Sequence, residues 1–365
     1  HLNPVGAVFV NTAMMISHSA PRMMIILAVT PTGGSFFYWP LHCMLMLGAS
    51  ALLIAVCVKV VRKVALRQAT GQIDLASGRK QLELQGLIRR VKGPPVLWRE
   101  LRAPMIQGAE GRNSIIGLVV TIIALLITYR VCENYLDEAF TQMGYVLMFT
   151  VIGSVFTIVL SSTSVTSEKE TRSWPILLAT SMDDWHILLG KAIGVFRRCL
   201  PIWLLMVGHI SLFICMKYIH PVAILHVPVF ATGLVVFLTG AGLYFSALFK
   251  RTTSAVIASF GLALVLWIIL PAVLGIVSVF THDYDTVSEL VSANPAAQLV
   301  TLMDGAGGSF NARTDISKLN YRWPDNSLRK IWPTTGLVLI YMLIYTFAGA
   351  AFAWRAKCRF RRNVF

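Results

Sequence analysis

Charge is scarce in this chain. Only 13% of its 365 residues are Asp, Glu, Lys or Arg, while 56% are hydrophobic and the mean hydropathy is +0.68. A soluble domain of this length cannot keep so much apolar surface out of water, so that class is excluded and a helical integral membrane protein remains. Cysteine is sparse as well. Cys43, Cys57, Cys132, Cys199, Cys215 and Cys358 fall singly, with no CxxC spacing and no histidine at metal-ligand spacing. That excludes a disulfide framework and a zinc site, and these residues read as small core side chains. The phosphate-cradling GxxxxGK[ST] loop is missing, because LLGKA at 188–192 lacks both the upstream glycine and the Ser/Thr; ATP is not hydrolysed here by that route. HExxH and a membrane Ser/His pair at recognisable spacing are absent too, which leaves hydrolase chemistry without support.

What the chain has instead is long apolar runs, seven of them, at about 37–60, 114–131, 141–163, 195–217, 222–249, 254–280 and 334–354. Residues 5–29 are also apolar, but Asn11, His18, Ser19, Pro21 and Arg22 interrupt them, so this stretch reads as a loop or a partly inserted segment. No Asp or Glu falls inside any span, which removes the usual carboxylate relay of a proton-driven transporter. His42, His209 and His226 are read as helix-to-helix hydrogen bonds, Gly233, Gly240 and Gly242 as close-packing residues, and Pro201, Pro228 and Pro271 as bends.

Seven spans put alternate connections on opposite sides. One side collects 24 of the 32 Lys/Arg: 12 between residues 59 and 112, five between 169 and 198, two at Lys250 and Arg251, and five from Arg355 onward. With 8 acids on that side and 9 on the other, the net charges are +16 and −1. The basic side is therefore expected in the cytoplasm, with the C-terminus and the 167–191 connection. This placement assigns the excess of positive charge to membrane polarity rather than to nucleic acid.

A weak repeat links the two ends. LNP at 2–4 recurs as ANP at 293–295, and YWP at 38–40 recurs as IWP at 331–333, offset by 291 and 293 residues. Each WP opens an apolar run that ends in a basic cluster, VVRKVALR or WRAKCRFRR. Residues 1–67 are accordingly read as the tail of a first transmembrane half, an extracytoplasmic segment plus one span. Residues 68–93 (QATGQIDLASGRKQLELQGLIRRVKG) are read as a cytoplasmic linker lying near anionic lipid, and 94–365 as a second half with six spans.

Two polar elements on the basic side stand out. In GPPVLWRELRAPMIQGAEGRN (93–113), Pro94 and Pro95 set a helix start, and Val96, Leu97, Leu101 and Met105 share a face opposite Arg99, Glu100 and Arg102. The expectation is an interfacial helix with its apolar face in lipid and its arginines at the headgroups. In SEKETRSWPILLATSMDDWHILLGK (167–191), Trp174, Leu177 and Leu178 fall at i, i+3 and i+4, and Trp185, Leu188 and Leu189 repeat the spacing after an acidic turn. Two short amphipathic helices are expected, the second capped by Asp183 or Asp184 and carrying Lys191 at its C-terminal pole. A rigid, charged projection of this kind suits a docking site for another protein better than a plain connection.

EKETRSWPILLATSMDDWHILLGK resembles the cytoplasmic loop of type-2 ATP-binding cassette exporter permeases, where acid-basic-acid, LLAT and LLGK join the second and third spans of a six-span half. GPPVLWRELR is similar to the interfacial connecting helix before the first span of such a half. Arg172 and Ser173 depart from the family's usual Gly-Thr, Trp174 and Pro175 are unusual there, and Ser181 replaces a common proline. The resemblance implies an all-α polytopic fold of about seven helices and no catalytic, cofactor or metal residues in this chain. It also implies a separate ATPase subunit that binds ATP and Mg and docks on Glu168, Glu170, Arg172, Trp174, Leu177, Leu178, Asp183, Trp185 and Lys191. Trp98, Arg99, Glu100 and Arg102 would form the interfacial helix. The complement would be a missing first half or a second permease copy, and the location the plasma (bacterial inner) membrane. A secondary transporter or channel, which would not need the 167–191 projection, is the alternative, and a membrane scaffold or enzyme a more distant one.

Overall fold

The protein is described from a computed structural model, which places residues 95–102, 111–172, 174, 183–282 and 284–360. All of these lie in the second of the two units into which the chain divides, Val91–Phe365. The expected span at 37–60, the 5–29 segment, the 68–93 linker, the LNP and YWP copies of the repeat, His42, Leu177 and Leu178 lie outside the described residues.

The order of elements is α1 (Pro95–Arg102), α2 (Gly111–Val131), α3 (Ala139–Glu170), α4 (Asp184–Cys215), α5 (Ala223–Leu248), α6 (Thr252–Leu264), a π turn (Val265–Ile269) and α7 (Leu270–Thr281). Then come α8 (Tyr284–Ser292), α9 (Pro295–Ala306), α10 (Ser309–Ala312), a hairpin of β1 (Asn320–Arg322) and β2 (Leu328–Lys330), and α11 (Ile331–Arg359). Five of these units are long and apolar enough to cross a bilayer: α3, α4, α5, α6 running on into α7, and α11. Ile116–Val131 of α2 is a shorter apolar helix. These coincide with the six runs expected in 94–365, and the fold is an all-α polytopic membrane protein. α3 and α4 have 32 residues each. At 1.5 Å per residue they measure about 48 Å, well beyond a hydrocarbon core of roughly 30 Å, so each carries about three turns of helix past the lipid tails.

α5 is the central helix, packed on α3 and α11. Its approach to α11 is backbone to backbone: a Cβ at Gly240 would overlap the carbonyl of Gly349, the kind of contact that small residues permit between membrane helices. Across the α3 side, Ser246 Oγ accepts from the backbone amides of Val165 and Thr166 at 2.9 and 3.0 Å, and Ser162 Oγ donates to Ser259 Oγ of α6 at 2.7 Å. His209 pairs with Tyr129 of α2, and His226 Nε2 lies 2.8 Å from Thr335 Oγ1 of α11, so both histidines join helices.

The π turn has a local cause. Pro271 has no N–H to offer the carbonyl four residues back, that of Trp267. Asn294 Nδ2 donates to that carbonyl at 2.8 Å instead. The same asparagine is the N-cap of α9, accepting from the Ala296 amide at 2.8 Å, with Pro295 at the first helical position. ANP is thus a helix start tied to a proline-induced break. IWP likewise opens α11, with Pro333 in its first turn, where a missing N–H costs little. The compact cap at the acidic end of the bundle, α8 to β2, is not legible in the apolar pattern. It is anchored by Tyr321 and Trp323, both essentially buried, with Tyr321 lying over Gly305 of α9.

Candidate functional site

The basic end of the bundle contains a second apolar cluster, separate from the main core: Val96, Val165, Trp174, Ile187, Leu188, Leu243, Ala247, Ala356 and Phe360. These come from α1, α3, the 171–183 connection, α4, α5 and the end of α11, so most of the bundle converges on the root of this loop. Trp174 is 3% exposed and its ring lies 4.6 Å, edge-on, from that of Phe360. It fastens the loop to the C-terminal end of α11.

Beside this cluster is a network of ion pairs. α1 seats its Val96/Glu100 face on α4, where Gly190 and Gly194 leave room: a Cβ at Gly190 would press on Val96, and one at Gly194 would meet Glu100. Glu100 is 6% exposed. Its carboxylate takes Lys191 Nζ at 2.8 Å and Arg198 Nη2 at 2.9 Å, with Arg99 Nη2 at 3.5 Å, and its backbone carbonyl accepts from Arg197 Nη1 at 3.0 Å. Lys191 also reaches Glu168 Oε1 at 2.6 Å, and Arg99 pairs with the same oxygen. Burial alone would raise the Glu100 pKa; Lys191, Arg198 and Arg99 overcome it and hold the carboxyl below its ordinary value of 4.5. Two residues past Glu168, Glu170 accepts from the amide and hydroxyl of Thr252 at 2.7 and 2.9 Å, at the start of α6. Lys169 Nζ donates to the carbonyls of Ser246 and Ala247 at the end of α5 and of its C-cap Phe249, at 2.6 to 3.0 Å.

Several expectations are corrected. The second short helix does not end after Lys191: it is the first turns of α4, continuous to Cys215. Lys191 is therefore mid-helix and 5% exposed, held by two carboxylates rather than by a helix pole. Asp183 occupies the N-cap position but makes no cap bond with its side chain, which lies 3.8 Å from His186 Nδ1. Glu100 points into the protein, not at headgroups, because α1 uses it to neutralise α4. Leu101 is exposed and Arg102 stacks over Trp98 at 4.2 Å. The Glu168 side chain is only 13% exposed, and Glu170 is engaged by Thr252. Of the described loop residues expected to touch a partner, Glu170, Arg172, Asp183 and Trp185 are exposed.

Arg172 stands in the left-handed region at φ 58°, just past the end of α3, where a glycine is ordinarily favoured. The departure from Gly-Thr thus sits where the backbone demands an unusual conformation. The reading of the sequence missed Arg198, although a signal exists. Lys191 and Arg198 are seven residues apart and so share a helix face, and a cation at the edge of an apolar run implies a partner.

Residues 113–363 match the family described as ABC-2 family transporter protein, a stretch that takes in the five candidate spans and the shorter apolar helix Ile116–Val131 and leaves α1 outside it. None of the curated proteins compared with the chain matches it.

Proposed function

Since this chain belongs to the ABC-2 family of transporter proteins and is a membrane permease, we propose that it is the transport subunit of an exporter whose energy comes from a separate ATPase docked on the 167–191 loop. ATP and Mg would be bound by that ATPase, and the basic end of the bundle would face the cytoplasm, as the +16 against −1 asymmetry favours. The observation that carries the reading is the construction of the loop's root. Its two ends are clamped by Glu168 and Lys191 to α1 and packed through Trp174 and Leu188 on α5 and α11. Arg172, Asp183 and Trp185 stay at the surface. A push on that surface would be passed to several spans at once, because the apolar root of the loop packs on α3, α4, α5 and α11 together. The transport pathway would then lie between this six-span half and its complement, the first half or a second copy.

The test is co-purification of the tagged permease with its ATPase, together with transport, in a variant carrying Arg172→Glu, Asp183→Lys and Trp185→Ala. Exposed ion pairs contribute only roughly 0.2–1 kcal/mol each, whereas an aromatic anchor at an interface contributes about 2 kcal/mol or more. Association and transport should therefore fall together while the melting temperature of the permease holds. Unchanged association would make the loop a passive connection and end the docking reading.

A further inference from the structure

Between α1, α3 and α4 lies a polar cavity of about 240 Å³, lined by Arg99, Lys191, Arg198, Glu100, Glu168 and the hydroxyl-bearing run Thr163, Ser164 and Ser167. Its ion pairs are described above, but they do not balance. Among the described lining residues three cations face two carboxylates, an excess of one formal positive charge. Arg198 Nε is buried with no acceptor among the described residues, an arrangement that normally costs stability unless a further acceptor is present. The level of the cavity in the membrane is also informative. The apolar runs end at 163 in α3 and begin at 195 in α4, so Thr163, Ser164 and Val195 mark the edge of the hydrocarbon. The Arg99 side chain, 54% exposed, stands at the mouth.

We propose that this cavity binds the phosphate group of an anionic phospholipid from the adjacent leaflet, between Arg99 and Arg198, with the α3 hydroxyls as further donors. One phosphodiester charge cancels the one uncompensated cation, and its oxygens supply the acceptor that Arg198 Nε lacks. A zwitterionic lipid brings its own cation to a mouth already held by an arginine and is disfavoured. The cavity is roomy enough for a phosphate with ordered water. A bound headgroup would pin α1 to α3 and α4 at the root of the loop, independently of any ATPase docked there.

Native mass spectrometry of the full chain released from detergent, with added phosphatidylglycerol or phosphatidylcholine, tests this. One phosphatidylglycerol should be retained in preference to phosphatidylcholine. Arg99→Gln and Arg198→Gln should each weaken retention roughly fivefold, the factor for one basic residue near an anionic surface. Arg102→Gln, stacked on Trp98 on the same helix, should leave it unchanged. Arg99 is half exposed, so its variant remains informative if Arg198→Gln fails to fold. Equal retention of the two lipids, or phosphatidylglycerol binding unaffected by Arg99→Gln, overturns the proposal. Displacement of the lipid by inorganic phosphate would reassign the cavity to free phosphate and also overturn it.

Discussion

Replacing Glu100 with Gln removes one negative charge from a place where three cations depend on it. The size of the effect follows from burial. Arg99 is 54% exposed, so its pairing contributes little, of the order of 0–1 kcal/mol. Lys191 and Arg198 are 6% and 14% exposed at the side chain and pair with Glu100 at 2.8 and 2.9 Å. Removing one member of such a buried pair leaves an uncompensated charge and costs about 3–5 kcal/mol. Glu168 still neutralises Lys191 in part, which places the expectation at the lower end of that range. For a domain of this size, about 2–4 °C of melting temperature accompanies each kcal/mol, so a drop on the order of 6–12 °C should appear in a fluorescence melt of the detergent-solubilised protein. The pH dependence gives an independent check. The Glu100 carboxyl is held below its ordinary 4.5, so its stabilising contribution is fully present above that pH and is lost as pH falls through the lower, folded value. Wild type should lose melting temperature on acidification below about pH 4.5 more steeply than Glu100→Gln does. A melting temperature within a degree of wild type, or the same acid slope in both proteins, would refute the reasoning that α1 is clamped electrostatically.

Other outcomes are expected elsewhere. Gly240→Val should prevent folding or insertion, measured as loss of the monodisperse peak in gel filtration, because the side chain would meet the Gly349 backbone, which cannot yield. Arg172→Gly should raise the melting temperature of the isolated permease, since relief of about 1–2 kcal/mol of left-handed strain exceeds the roughly 0.5–1 kcal/mol entropy cost of glycine. The same change should weaken ATPase association by removing an exposed contact. Cys215 and Cys358 are exposed near opposite ends of the bundle. In single-cysteine variants an impermeant thiol reagent on intact cells should label Cys215 and spare Cys358, and the reverse pattern would invert the proposed orientation.

How far the chain could be read in advance varied by element. The five spans and the shorter apolar helix of 94–365 were legible because an apolar run of about 20 residues has few other fates and the signal is local. Histidine pairing between helices was also anticipated, since a buried imidazole in lipid has to find a partner. The loop was less legible. Trp174 and Trp185 share the same helical spacing pattern, yet one is buried on Phe360 and the other is exposed. Amphipathic spacing says that a face is apolar, not what will cover it. The cap was missed because α8 to α10 and the β1–β2 hairpin are short and held by a few residues, Tyr321 and Trp323 foremost.

Membrane class, the apolar runs within 94–365 and the asymmetry of charge were determined by the sequence alone. Each is a property of neighbouring residues and of their transfer out of water. The tertiary structure decided which charges are available to a partner. Glu100 meets Lys191 and Arg198 across 91 and 98 residues of chain, and no local pattern encodes that meeting. It depends on Gly190 and Gly194 letting α1 approach α4. Once α1 is seated there, a buried carboxylate must be neutralised by whatever cations the neighbouring helix presents, and Glu168 and Lys191 become part of the protein's interior rather than its surface.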